Sequence, residues 1–243
     1  MAGRRTPVLA SRAALRRALR SAASARDARF LQGYFRTGPG EYGAGDRFLG
    51  VRVPALRRLA RAARALPPAD AWALLGSRWH EERLLALLLL VEHYRVGDAT
   101  ARARLCRGYL ARLRHVDNWD LVDSSAPLIL GLELLGRPIA PLVALSRSPD
   151  LWERRIALLA TLPRIRAGDP AATLRLARLL LRDPEDLIHK AAGWMLREVG
   201  KRDRAALRKF LQRHAAVMPR TMLRYAIEHL GARERARWLT ARG

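Results

Sequence analysis

Apolar residues recur at i, i+3, i+4 and i+7 almost everywhere along this chain, and short breaks carrying Pro, Gly or Asp interrupt that rhythm at close intervals. One such stripe is Leu56, Leu59, Ala60 and Ala63. Leu142 and Leu145, then Leu158, Leu159 and Leu162, then Leu174, Ala177 and Leu181 continue it. A period of 3.6 predicts helices with one buried face, and no run alternates polar with apolar residues as a half-buried strand would. The breaks fall near Gly38–Gly45, Pro67–Pro68, Val96–Asp98, His115–Asn118, Gly136–Pro138, Ser148–Asp150, Gly168–Pro170, Asp183–Glu185, Lys201–Asp203 and Pro219. Asp and Pro at such points suit N-caps and first-turn prolines. Helices of roughly 10–16 residues joined by short turns imply stacked pairs rather than a simple bundle.

A longer period runs through the tryptophans. Trp79 and Trp119 are 40 residues apart, and Trp194 follows 75 residues later, with Arg155 between them. HEAT-like helical repeats have a period of about 40 residues, so residues one period apart occupy equivalent places. The expected fold is therefore all-α, a HEAT-like solenoid of about six stacked antiparallel helix pairs with a concave basic face. Residues 1–26 are expected to form a basic N-terminal helix or arm, and residues 27–243 a single solenoid domain. The acid-free, Arg-rich start, residues 1–26, also has the composition of a transit peptide, and a basic first helix or polyanion-contacting arm is the preferred reading.

Charge narrows the function. The 243 residues carry a formal net charge of +24. Residues 1–66 alone hold 15 Arg against Asp27, Glu41 and Asp46. Such an excess repels itself unless a polyanion compensates it, and nucleic acid is the first partner to consider. Only Lys190, Lys201 and Lys209 are lysines, so part of the Arg excess reflects coding bias. A lone Cys106 excludes a disulfide framework and a CxxC zinc pair, which fits a reducing, cytoplasmic setting close to the nucleoid. The most apolar run, residues 84–91, is far shorter than the ~20 residues that span a bilayer. Histidines 80, 93, 115, 189, 214 and 229 show no metal-binding spacing, and the Gly-rich stretch 36–50 has no phosphate-loop pattern. No metal, cofactor or membrane is expected.

Three segments carry the candidate chemistry. In HVDNWDLVDSSAPLILG (His115–Gly131), Asp117 or Asn118 is a good N-cap, which places Trp119 and Asp123 one turn apart on one helix face. Asp123 reads either as a functional carboxylate, as an acid favoured by the helix dipole, or as an ion-pair partner of Arg155. Asp117 and Asp120 read as capping and dipole acids. In PDLWERRIALLATL (Pro149–Leu162), Trp152 and Arg155 are i and i+3, with Arg154 beside them. In DLIHKAAGWMLREV (Asp186–Val199), Lys190, Trp194 and Arg197 share a face. Cations interleaved with aromatics suit a nucleic-acid backbone, and equally a solvated face with tryptophans half-buried at repeat interfaces.

These segments resemble the AlkD-type DNA alkylation repair family, HEAT-like alkylpurine DNA glycosylases. The resemblance rests on WDLVD at Trp119–Asp123, on W..R at Trp152–Arg155, on K..GW.LRE at Lys190–Glu198, and on FLGVRVPALRRL at Phe48–Leu59. Trp79 falls near a further aromatic position, and the likeness covers roughly residues 27–230. It implies that Asp123 is the catalytic carboxylate, that Trp119 and Trp194 hold the backbone of the lesion-bearing nucleotide, and that Arg155 contacts DNA beside the carboxylate. The implied reaction is release of cationic alkylpurines, such as N7-alkylguanine and N3-alkyladenine, from duplex DNA without base flipping. A monomer is expected. The alternative reading is a non-catalytic binder of branched or damaged DNA, and after it a protein–protein scaffold.

Overall fold

The computed structural model describes residues 9–240, and these are helical with short connections. Among them the only β pairing is an isolated bridge between Arg47 and Trp79. The fold is all-α and HEAT-like. The chain divides into two compact units, Met1–Ser125 and Ala126–Gly243.

The first unit contains α1 (Arg12–Ser21), α2 (Ala25–Tyr34), α3 (Val53–Ala62), α4 (Pro68–Leu75), α5 (His80–Val96), α6 (Ala99–Leu110) and α7 (Trp119–Ser125). Its axis is α5, the 17-residue helix that holds the apolar run. Residues 80–91 are all buried, and the stretch 84–91, apolar all round, has to be. Helices α3, α4, α6 and α7 all pack on it. The expected stripe on α3 is realised: Leu56, Ala60 and Ala63 are buried and Leu59 is partly so. The start of the basic arm, residues 1–8, lies outside the described residues. The remainder forms α1, capped by the Ser11 hydroxyl and buried through Leu15 and Leu19, and the first two residues of α2. Arg16 on α1 donates Nε and Nη2 to the buried Glu82 at 3.1 and 2.9 Å, which ties the helix to α5.

The second unit contains α8 (Ala140–Leu145), α9 (Leu151–Leu159), α10 (Leu162–Arg166), α11 (Ala171–Leu179), α12 (Asp186–Arg202), α13 (Arg204–His214), α14 (Arg220–Ala226) and α15 (Ala232–Leu239). Its axis is α12, against which α9, α10, α11, α13 and α14 pack. Two local expectations shift. The segment 151–166 is two helices, because Pro163 cannot continue a ladder and opens α10 instead. On α11 the buried face is Ala172, Thr173, Leu176 and Ala177, with Leu180 next to it, so Leu174 and Leu181 sit only half-buried. Leucines at 174, 176, 179, 180 and 181 offer more than one stripe, and packing selects among them.

Gly193 shows how closely α12 and α14 approach. A Cβ there would lie 2.5 Å from the Tyr225 Cβ and 2.6 Å from the Met222 carbonyl oxygen. Gly193→Ala is therefore expected to destabilise the protein by about 1–3 kcal/mol through overpacking. A thermal melt equal to that of the wild type would refute this.

Candidate functional site

Helix α7 begins where the sequence places it. Asn118 is the residue before it, fully buried. Its carbonyl accepts from Val122 N at 3.1 Å and its Oδ1 accepts from Trp119 N at 2.8 Å. Asp117 turns instead to Arg83, 3.2 Å away. Trp119 and Asp123 follow one turn apart on the same helix face, both half-buried.

Trp119 belongs to a ladder of rings. It stacks on Phe35 with centroids 5.1 Å apart and planes 15° apart, and Tyr34 meets it edge-on at 5.9 Å. Tyr34 stacks in turn on Phe30 at 5.9 Å. Phe30 is 60 % exposed and Tyr34 55 % exposed. On the buried side Phe35 stacks on Phe48, and both rings lie against the His80 imidazole, 4.9 and 4.5 Å from it. Sequence reasoning passed over Phe30 and Tyr34. The available signal was an i, i+4 aromatic pair on α2, a helix that buries none of its residues.

Beneath the ladder lies a buried ionic cluster that the sequence did not reveal. His80 places Nδ1 2.8 Å from Asp46 Oδ2 and Nε2 2.8 Å from Asp120 Oδ2. Burial by itself pushes the imidazole towards its neutral form. The charge and hydrogen bond of Asp120, joined by those of Asp46, override burial and raise its pKa to about 9. Both ring nitrogens then donate, which leaves no lone pair for a metal ion. Burial likewise raises the Asp46 carboxyl, but His80 and Arg83 together hold it below the usual carboxylate range. Arg83 Nη2 lies 2.7 Å from Asp46 Oδ1, and Asn118 Nδ2 donates to Asp46 Oδ2 at 3.2 Å. Asp120, read from the sequence as a capping or dipole acid, is thus a partner of His80. The two residues are 40 positions apart, the same offset as Trp79 and Trp119, so one repeat sets the opposite partner on the next.

The segment that delivers Asp46 and Phe48 is held by a second buried carboxylate. Glu81 accepts from the backbone amides of Leu49, Gly50 and Val51 at 2.8, 2.8 and 3.1 Å. Gly50 has φ +84°, and a Cβ there would lie 2.0 Å from the Ser24 carbonyl oxygen. Only glycine fits.

The remaining sequence-derived residues fall as follows. Trp79, half-buried, precedes α5 as its N-cap, and Arg78 lies over its ring at 5.3 Å. In the second unit Trp152 is buried at the start of α9. Arg154 donates Nε to Asp183 at 2.7 Å and Nη1 to the carbonyls of Ser148 and Pro149, so its guanidinium fastens the loop before α9. Arg155 is 5 % exposed and donates Nη1 to the Leu187 carbonyl at 2.8 Å. On α12, Lys190, Trp194 and Arg197 are all partly exposed. Lys190 pairs with Asp186 at 2.7 Å, and Arg197 pairs with Glu228. Among the described residues no helix is long and apolar enough to cross a membrane.

Comparison with known proteins agrees with this architecture. The solved structure described as a predicted DNA alkylation repair enzyme from Enterococcus faecalis superposes with a TM-score of 0.66 at 16% identity, over 86% of this chain and 97% of that one. At that identity the likeness is one of fold. No curated protein matches significantly. The family model for DNA alkylation repair enzymes matches residues 15–230, most of the length. The chain belongs to the DNA alkylation repair enzyme family.

Proposed function

We propose that this chain is a monofunctional DNA glycosylase that releases cationic alkylated purines from duplex DNA, with Asp123 as its catalytic carboxylate. The carrying observation is Trp119 and Asp123 one turn apart on α7, beside an aromatic ladder that opens to solvent at Tyr34 and Phe30. Family membership supports a DNA substrate, and the +24 charge suits a polyanion. The reaction asks little of the protein. An N7- or N3-alkylated purine already carries positive charge, so the C1′–N9 bond breaks with its electron pair leaving on the base. The deoxyribose passes through an oxocarbenium-like state. A fixed carboxylate stabilises that charge and orients the water that adds at C1′, whose proton passes to solvent. No second acid is required, unlike the paired carboxylates of glycoside hydrolases. Trp119 would hold the nucleotide backbone against the carboxylate, and no base need be extruded. Trp194, with Lys190 and Arg197, gives α12 a cationic aromatic face of its own for the phosphates. The protein would act alone on chromosomal DNA in the cytoplasm.

The test is base release from a duplex carrying N7-methylguanine, with affinity measured on that duplex and on a four-way junction. Release of free N7-methylguanine and an abasic product is expected. No release, combined with tighter binding to the junction, would replace this reading with that of a structure-specific DNA-binding protein.

A further inference from the structure

Three of the ties that fix Trp119 converge on one side chain. The residue before it, Asn118, is bonded to Asp46, and Asp46 is bonded to His80. The residue after it, Asp120, is bonded to His80 directly. The ring that Trp119 stacks on, Phe35, packs against the His80 imidazole. His80 itself sits at the first position of α5, whose residues 80–91 are all buried. It is 1 % exposed, so it cannot touch DNA.

We propose that His80 is the positioning residue of the Trp119–Asp123 pair: its imidazole, clamped between Asp46 and Asp120, sets the plane of the Trp119 ring and the first turn of α7, and so the direction in which Asp123 presents its carboxylate. The consequence for rate rests on the glycosylase reading; the consequence for the Trp119 ring does not.

The physical argument is one of over-determination. A short helix of seven residues has little stability of its own and follows whatever holds its ends. Here two charge-assisted bonds at 2.8 Å, about twice as strong as neutral ones, sit beside its first turn. The charged groups facing the imidazole are Asp46, Asp120 and, through Asp46, Arg83 with Asp117. Removing His80 leaves two buried carboxylates facing each other with Arg83 alone to compensate them. Their repulsion acts on Asp120, which is part of α7. A misplacement of about 1 Å at a reacting group costs on the order of 10²-fold in rate, which makes such an anchor matter for chemistry it never touches.

The experiment uses the full chain labelled with fluorotryptophan, whose six indoles report separately by ¹⁹F NMR; Trp119 is assigned by its loss in Trp119→Phe. His80→Gln is compared with wild type, together with Asp120→Asn, which keeps an oxygen acceptor for Nε2, and Asp120→Ala, which does not. In His80→Gln the Trp119 signal is expected to shift or broaden while those of Trp152, Trp194 and Trp238 stay in place. Base release should fall about 10–100-fold in kcat with KM raised by less than in Trp119→Ala, because the displaced Trp119 ring keeps part of its ground-state contact while Asp123 is turned away from the reacting centre. Asp120→Asn should retain most of what Asp120→Ala loses. The proposal is overturned if the Trp119 signal and kcat stay at wild-type values, or if all six indoles move alike, which would mean general loosening. Should His80→Gln not fold, the same readings on the two Asp120 variants decide. If wild type releases no base, the glycosylase reading falls, and the NMR readings still decide whether His80 sets Trp119.

Discussion

Asp123→Asn is expected to lower release of N7-methylguanine by about 10²–10³-fold and to leave affinity for the same duplex unchanged or higher. The substitution keeps the shape and the half-buried setting of the side chain, removes its charge and turns one acceptor oxygen into a donor. On the glycosylase reading that charge would stand near phosphates in the ground state and repel them, so its loss would not weaken binding. In the transition state it would face a developing oxocarbenium ion, and there alone would it stabilise. An interaction made only in the transition state appears in kcat and not in affinity. Trp119→Ala is different, since the ring would touch the nucleotide before and during reaction, and both quantities should drop. Single-turnover release and duplex affinity, measured side by side for wild type and Asp123→Asn, give the answer. Equal release by the two proteins would make Asp123 a structural residue and would move the catalytic group elsewhere.

Stability should fall by about 3 kcal/mol as pH rises from 6.5 to 9, through His80 alone. The folded-state pKa, about 9, lies above the ordinary value of 6.5, so the folded protein holds a proton that the unfolded chain releases. The stabilisation is complete below pH 6.5 and is lost as pH climbs through about 9. His93, His115 and His214 have the opposite displacement, each lowered first of all by burial. Their contribution grows as pH rises towards 6.5 and levels off just above it, so it opposes the His80 loss only at the acid edge of this window and is common to wild type and His80→Gln. Asp46 acts at the acid end: its lowered pKa adds stability above 3.8 that disappears as pH falls through the folded value. Denaturant unfolding of wild type and His80→Gln between pH 6.5 and 9.5 isolates the effect. The two curves should converge towards alkaline pH, and parallel curves would show that His80 does not carry the proton.

What the sequence settled by itself was local. Helix period, Pro and Asp at the breaks, and the start of α7 at Trp119 depend on residues within a few positions of one another, and the structure has them. The shared face of Lys190, Trp194 and Arg197 on α12 is local in the same way. Tertiary structure decided the rest. Asp46 and Asp120 reach His80 across 34 and 40 residues, a pairing that no helical period encodes. Three of the rings that end at Trp119 come from α2 and the residue after it, far from α7 in the chain. Arg154 and Asp117 carry charges that the sequence leaves free to face DNA or solvent, yet each meets a partner inside its own unit, Asp183 and Arg83. A charged side chain has the same local signature whether it is solvated or paired. Only the stacking of one helix layer on the next supplies the opposite charge, and for Arg154 with Asp183 it also withdraws the pair from water, which the pairing makes tolerable.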